Sequence, residues 1–137
     1  MKYNNFGKQE MEFILTKLNF KEEYTVVKLS SKLKRITGSK YVIITRSNLA
    51  YILNKHVSEL NIIDFKYIPS IIIQHDFTIK GKSKEKGDRA FLKIIGSHAY
   101  EIKMNKNPNV DDNSEYVVHF LKSSKVKKFT KKYLKMD

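Results

Sequence analysis

The chain has 137 residues, with 27 Lys and Arg against 14 Asp and Glu, a formal net charge of +13 and no cysteine. That length suits a single domain over residues 1–137, large enough to bury a core without staples. Without thiols there is no disulfide framework, thiolate metal site or cysteine nucleophile.

In chain order, Met11, Ile14, Leu15 and Leu18 stand at helical spacing, which predicts a helix over 9–19 inside an N-terminal helical extension, 1–22. Tyr24 to Leu29, with Val26 and Val27, reads as a short strand. Residues 30–39 read as a polar, basic stretch punctuated by Gly38. The β-branched run 40–45 (KYVIIT) predicts a strand. Ser47 offers an N-cap for a helix over 48–60, with Leu49, Ile52, Leu53 and Leu60 as its apolar stripe. A second short helix is expected over about 64–73, with Asp64 as N-cap, Pro69 in its first turns and Ile68, Ile71 and Ile72 inward.

Strands should follow from Phe77. The stretch 80–88, six of whose nine residues are charged, with Gly81 and Gly87, predicts a hairpin tip or loop. Residues 89–95 (RAFLKII) form a strand with Arg89 and Lys93 outward, 99–104 another, 105–114 a turn and 116–121 (YVVHFL) a central strand. A Lys-rich helix over 124–135, with Val126, Phe129 and Tyr133 as its inner face, closes the chain. Helices first and a meander of strands afterwards is an α+β pattern, N-terminal helices packed on an antiparallel sheet.

The basic residues are nearly all Lys, with only Arg35, Arg46 and Arg89 as arginines. Lysine meets phosphate as a point charge, whereas arginine gives planar, two-pronged contacts. The charge therefore points to attraction by a nucleic-acid backbone more than to base-edge readout. A lysine-rich proteome would raise the same count. Glu10 and Glu12 interrupt Met1 to Asn19, so no signal peptide is expected, and runs such as Ile71–Ile73 are too short to span a bilayer. A soluble, cytoplasmic protein with no membrane partner is the expectation.

Several segments carry a family likeness in their order. They are ILxKH (Ile52, Leu53, Lys55, His56), the run 68–79 with His75-Asp76, RAFLKII at 89–95, EIKM at 101–104 and YVVHFLKSSK at 116–125. Together they resemble the phage-associated PBECR nuclease domains of the barnase, EndoU, colicin and RelE-like superfamily, over a nuclease-like core of about 40–130. Where members often carry a first His in the helix, this chain has Tyr51, and His119 stands where members often show Thr. The resemblance implies a barnase/RelE-like arrangement, metal-independent RNA cleavage, phage or mobile-element origin and an acidic inhibitor protein as a further partner.

Such cleavage needs a general base for the 2′-OH, a general acid for the leaving 5′-oxygen and fixed positive charge. Histidine suits both proton roles. His119, mid-strand, and His56, at a helix end and strengthened by the resemblance, are the expected proton carriers. Arg89 and Lys93, four apart on a strand, share a face and would hold the phosphate. Tyr51, Lys55, Lys122, Ser123, Lys125 and Lys128 are the expected nucleic-acid contacts. If Val118 and Phe120 face the core, His119 should share the other face with Val117 and Leu121. His75 and His98 read as turn residues. No metal-ligating motif, phosphate-binding glycine loop or cofactor signature appears, so neither cofactor nor metal is expected. The rival reading is a nucleic-acid-binding phage accessory protein without catalysis.

Overall fold

A computed structural model of the chain describes residues 25–44, 48, 51–52, 59–80, 89–107 and 111–135. The expected helix at 9–19, the extension 1–22 and the loop 80–88 lie outside these residues, apart from Lys80, which ends a strand. Of the helix expected over 48–60, Asn48, Tyr51 and Ile52 have helical backbone, whereas Glu59 and Leu60 do not.

The described elements are β1 (Thr25–Lys28), α1 (Ser31–Thr37), β2 (Tyr41–Ile43), a 3-10 helix (Ile62–Tyr67), α2 (Ile68–Ile73), β3 (Phe77–Lys80), β4 (Arg89–Ile95), β5 (His98–Asn107), β6 (Asp111–Ser123) and α3 (Val126–Lys135). The fold is α+β. Its six-stranded sheet has the order β1-β2-β6-β5-β4-β3. It is mostly antiparallel, with one departure from expectation, the parallel pairing of β2 with β6. Those strands are separated by nearly half the chain, and so long a connection allows them to run in the same direction.

Helix α1 occupies the stretch read as merely polar. Its caps explain why: the Ser30 hydroxyl accepts from the Leu33 N–H, and Gly38, at φ 72°, ends the helix with its N–H on the Lys34 carbonyl at 2.7 Å. Among its described side chains, Leu33 and Thr37 are buried. Asp64 is not the N-cap of its helix. Asn61 holds that place, and its N–H donates to Asp64 Oδ2 at 2.8 Å, so the carboxylate reaches back from the third helical position. The stretch expected as a turn over 105–114 is largely strand, with β5 reaching Asn107 and β6 starting at Asp111.

Both faces of the sheet are covered. On one, Phe91, Tyr100, Ile102, Met104, Val117 and Phe120 pack with Leu33, Ile52, Leu60, Phe65, Ile68, Ile71 and Ile72. Phe65 meets Phe120 edge-on at 5.2 Å between ring centroids. On the other, Ala90, Leu92 and Ala99 with Ile79 receive Tyr133 of α3, with Val126 and Phe129 alongside.

A bulge in β6 decides which face receives His119. Lys103 stands opposite His119, but its neighbour Met104 stands opposite Val117, so Val118 is an extra residue. Val117 and Phe120 therefore both point into the first core, and His119 shares the opposite face with Leu121 but not with Val117. Strict alternation through 116–121 predicts otherwise and fails at this one inserted residue.

Two substitutions test this account by thermal or chemical unfolding. Gly38→Ala should cost about 1–2 kcal/mol, because a side chain there must adopt a left-handed backbone and its Cβ would meet Lys106 Nζ at 2.8 Å. Phe120→Ala, at 1% exposure, should cost about 3–5 kcal/mol.

Candidate functional site

Strand β5 places two consecutive polar side chains, Tyr100 and Glu101, on opposite faces, and each takes part in burying a carboxylate. On the face of the 3-10 helix the carboxylate is Asp64, itself buried. Tyr100 donates to its Oδ1 at 2.9 Å, and Lys122 Nζ lies 3.3 and 3.2 Å from its two oxygens. Burial, then the hydrogen bond to Asp64, pushes the Tyr100 hydroxyl well above its ordinary range, so it stays a donor.

On the face of α3 the carboxylate is Glu101, 2% exposed. His119 Nε2 stands 3.1 Å from Oε1 with Lys103 Nζ at 3.9 Å; Tyr133 donates to Oε2 at 2.9 Å and Lys132 Nζ lies 3.3 Å from it. Burial raises the carboxyl pKa, but the hydrogen bond from His119 and the charges of Lys132 and Lys103 outweigh it and bring it from 4.5 down to about 2. Burial, then the Glu101 charge, drives the Tyr133 hydroxyl upward, so it too remains a donor.

Glu101 is thus ionised at any ordinary pH and can only accept. Neutral His119 must carry its proton on Nε2, leaving a lone pair on Nδ1. Among the described residues, this carboxylate–imidazole pair flanked by two lysines is the densest set of proton-handling groups. Sequence reasoning named His119 but missed Glu101, Lys103, Lys132 and the hydroxyl of Tyr133. The signal available was the period-2 spacing of Glu101 and Lys103; what joined them to His119 and α3 was strand register.

The remaining expected residues are dispersed. Arg89 stands opposite Met104, and Lys93 opposite Tyr100, so both lie on the face of the 3-10 helix, across the sheet from His119. They flank Phe91 on that face rather than pointing outward, and Lys93 donates to the Gln74 carbonyl at 2.9 Å. The phosphate clamp expected beside His119 is therefore not assembled from these two. Lys122 lies within β6, its side chain 14% exposed, and serves as counter-ion to Asp64 instead of a loop contact. Ser123 Oγ accepts from the Lys125 N–H. Lys125 and Lys128 are exposed, as is Tyr51. His56 and Lys55 lie outside the described residues.

His75 and His98 have structural partners. His75 Nδ1 donates to the Ile72 carbonyl and its ring meets Phe91. His98 pairs with Glu59 at 3.1 Å, and hydrogen bonds from the Ser124 hydroxyl and N–H hold the Glu59 carboxyl below its ordinary range. This cluster joins the β4–β5 turn to the start of α3. Among the described residues no group of His, Asp and Glu is arranged to hold a metal ion, and no helix is long and apolar enough to cross a membrane.

Compared with known proteins, the chain matches no family model, no curated protein and no solved structure.

The depressed Glu101 pKa has a signed consequence. The unfolded chain takes up this proton near 4.5 and the folded chain only near 2, so the stabilisation is complete above about pH 5 and is lost as pH falls toward 2. It amounts to about 3 kcal/mol. Glu101→Gln should lower stability at pH 7 by about 3–5 kcal/mol, because Lys103 and Lys132 lose their counter-charge. It should also weaken the stability change between pH 5 and pH 2.5 relative to the parent, measured by denaturant titration at each pH.

Proposed function

We propose that this protein binds the phosphate backbone of nucleic acid, RNA foremost, across the outer face of α3 and the adjoining ends of β5 and β6. The observation that carries this reading is the one-sidedness of α3. Its sequence, VKKFTKKYLK, holds five lysines and no acidic residue. Tyr133, fully buried, and the partly buried Phe129 and Val126 bind one side to the sheet. Lys127, Lys128, Lys131 and Lys135 consequently stand exposed, with Lys125 just before the helix. Such a row attracts a polyanion at long range and neutralises successive phosphates with little regard to base sequence. An acidic inhibitor protein would fit the same face by the same charges.

A second reading, metal-independent RNA cleavage by a phage- or mobile-element-encoded endonuclease of barnase/RelE-like arrangement, is favoured by the pairing of His119 with Glu101. Nδ1 would take the 2′-OH proton, the 2′-oxygen would attack phosphorus, the bond to the 5′-oxygen would break and leave a 2′,3′-cyclic phosphate, and a second group would protonate the departing oxygen. Lys103 and Lys132 would supply the charge first assigned to Arg89 and Lys93, and His56 is the proton donor this reading names.

One assay addresses both readings. A labelled single-stranded RNA should bind with an affinity that falls steeply with salt, and Lys127→Glu with Lys131→Glu should weaken binding at least about tenfold. An affinity indifferent to salt would overturn the proposal. RNA cleaved in EDTA by the parent but not by His119→Ala would establish the second reading; RNA recovered intact would leave binding alone.

A further inference from the structure

We infer that α1 and its flanks form a second phosphate-binding surface, separate from α3, so that one molecule holds two nucleic-acid strands at once. This rests on the reading of α3 as a nucleic-acid-binding face and goes beyond it, adding a site and the joining of two strands.

The sequence around α1 carries charge of one sign. From Tyr24 to Ser58 it holds seven Lys and Arg and no Asp or Glu. A lysine-rich proteome multiplies cations but does not remove carboxylates. The fold turns this composition into a surface. Leu33 and Thr37, four residues apart, point into the protein. Lys32 and Arg35 are exposed on α1, and Lys34 is half-buried beside them. The Leu29 N–H donates to the Lys40 carbonyl at 2.8 Å, which brings the exposed Lys28 and Lys40 together next to the two ends of the helix. Among the described residues none of these five cations is paired with a carboxylate.

Stability does not account for the gathering. Lys34 and Arg35 suit the negative end of the helix, but Lys106 Nζ already meets that end, donating to the Gly38 carbonyl at 2.9 Å. Lys32 stands in the first turn, where the helix dipole disfavours a cation and where α1 has no acidic residue. Like charges held this close repel one another in the free protein, and a phosphate backbone laid across them relieves the repulsion. Arg35 adds the planar, two-pronged donor that suits a phosphate.

The two basic surfaces are well separated. Helix α1 joins β1 to β2 at one edge of the sheet and packs Leu33 into the first core. Helix α3 packs Tyr133 into the second core, beneath β4 and the opposite edge strand β3. Lys106, beneath the end of α1, and Glu101, which receives Lys132 of α3, are both on β5. They stand five residues apart, about 17 Å, with their side chains on opposite faces. A strand lying along α3 therefore reaches α1 only by passing round the sheet, and the two surfaces take separate strands.

The test uses the full chain and a short oligouridylate in donor-labelled and acceptor-labelled copies, with the number bound per chain read by sedimentation. The parent should bind two copies, with energy transfer between them that vanishes in excess protein. Lys32→Gln with Arg35→Gln and Lys40→Gln should bind one copy without energy transfer, the α1 affinity falling at least about tenfold and its salt slope by about 2. Lys127→Gln with Lys131→Gln and Lys135→Gln, which removes the same charge, should also bind one copy, now on α1. Circular dichroism and melting establish folding, and Lys28→Gln with Lys40→Gln, outside the helix, should weaken the same site without touching α1. One copy bound by the parent, two by the folded α1 variant, or none by the folded α3 variant would overturn the second surface alone. No salt-dependent binding by the folded parent would overturn the nucleic-acid reading beneath it.

Discussion

A carboxylate taken out of water costs several kcal/mol unless cations and hydroxyl or amide donors meet it. Among the described residues this protein buries two, Asp64 and Glu101, on opposite faces of one sheet. Both solutions run through neighbouring residues of β5: Tyr100 donates to Asp64 on one side, and on the other Glu101 is itself the acceptor. Because successive strand residues point to opposite faces, this dipeptide ties the layer of the 3-10 helix and the layer of α3 to the same strand. The positions of both layers follow from satisfying these two charges.

On the α3 side the requirement has a consequence for the surface. Tyr133 and Lys132 are adjacent in the helix, and both reach the Glu101 Oε2 oxygen, one from the buried stripe and one from its margin. That double contact fixes the rotation of α3 about its axis. With the rotation fixed, Lys127, Lys128, Lys131 and Lys135 remain exposed. The exposed lysine row and the buried charge are two aspects of one packing decision: apolar and hydroxyl groups go in, ammonium groups stay out.

The candidate site differs in membership from the one that residue spacing suggests. Arg89 and Lys93 do share a face, as strand periodicity requires, but it is the face of Tyr100 and Asp64. His119 reaches the other face because Val118 is bulged out of the ladder. Its company is Glu101, Lys103, Lys132 and Tyr133, drawn from β5 and α3. Lys122, three residues on from His119, is withdrawn from any surface role by the need of Asp64 for a cation.

Several features were legible in the chain alone. Composition determined the excess of positive charge; a β-branched run determined the strand at 41–43, and apolar residues set between Arg89 and Lys93 that at 89–95; the spacing of Val126, Phe129 and Tyr133 determined the inner face of the last helix. These are local properties, set by periodicity within one element or by counting. Helix α1 was legible in principle through Ser30 and Gly38, but its polar sequence concealed it. Strand order, the parallel pairing of β2 with β6, the bulge at Val118 and the meeting of His119 with Glu101 were decided only in the tertiary structure. Each depends on how separate segments are aligned, and a shift of one residue sends every later side chain of a strand to the opposite face.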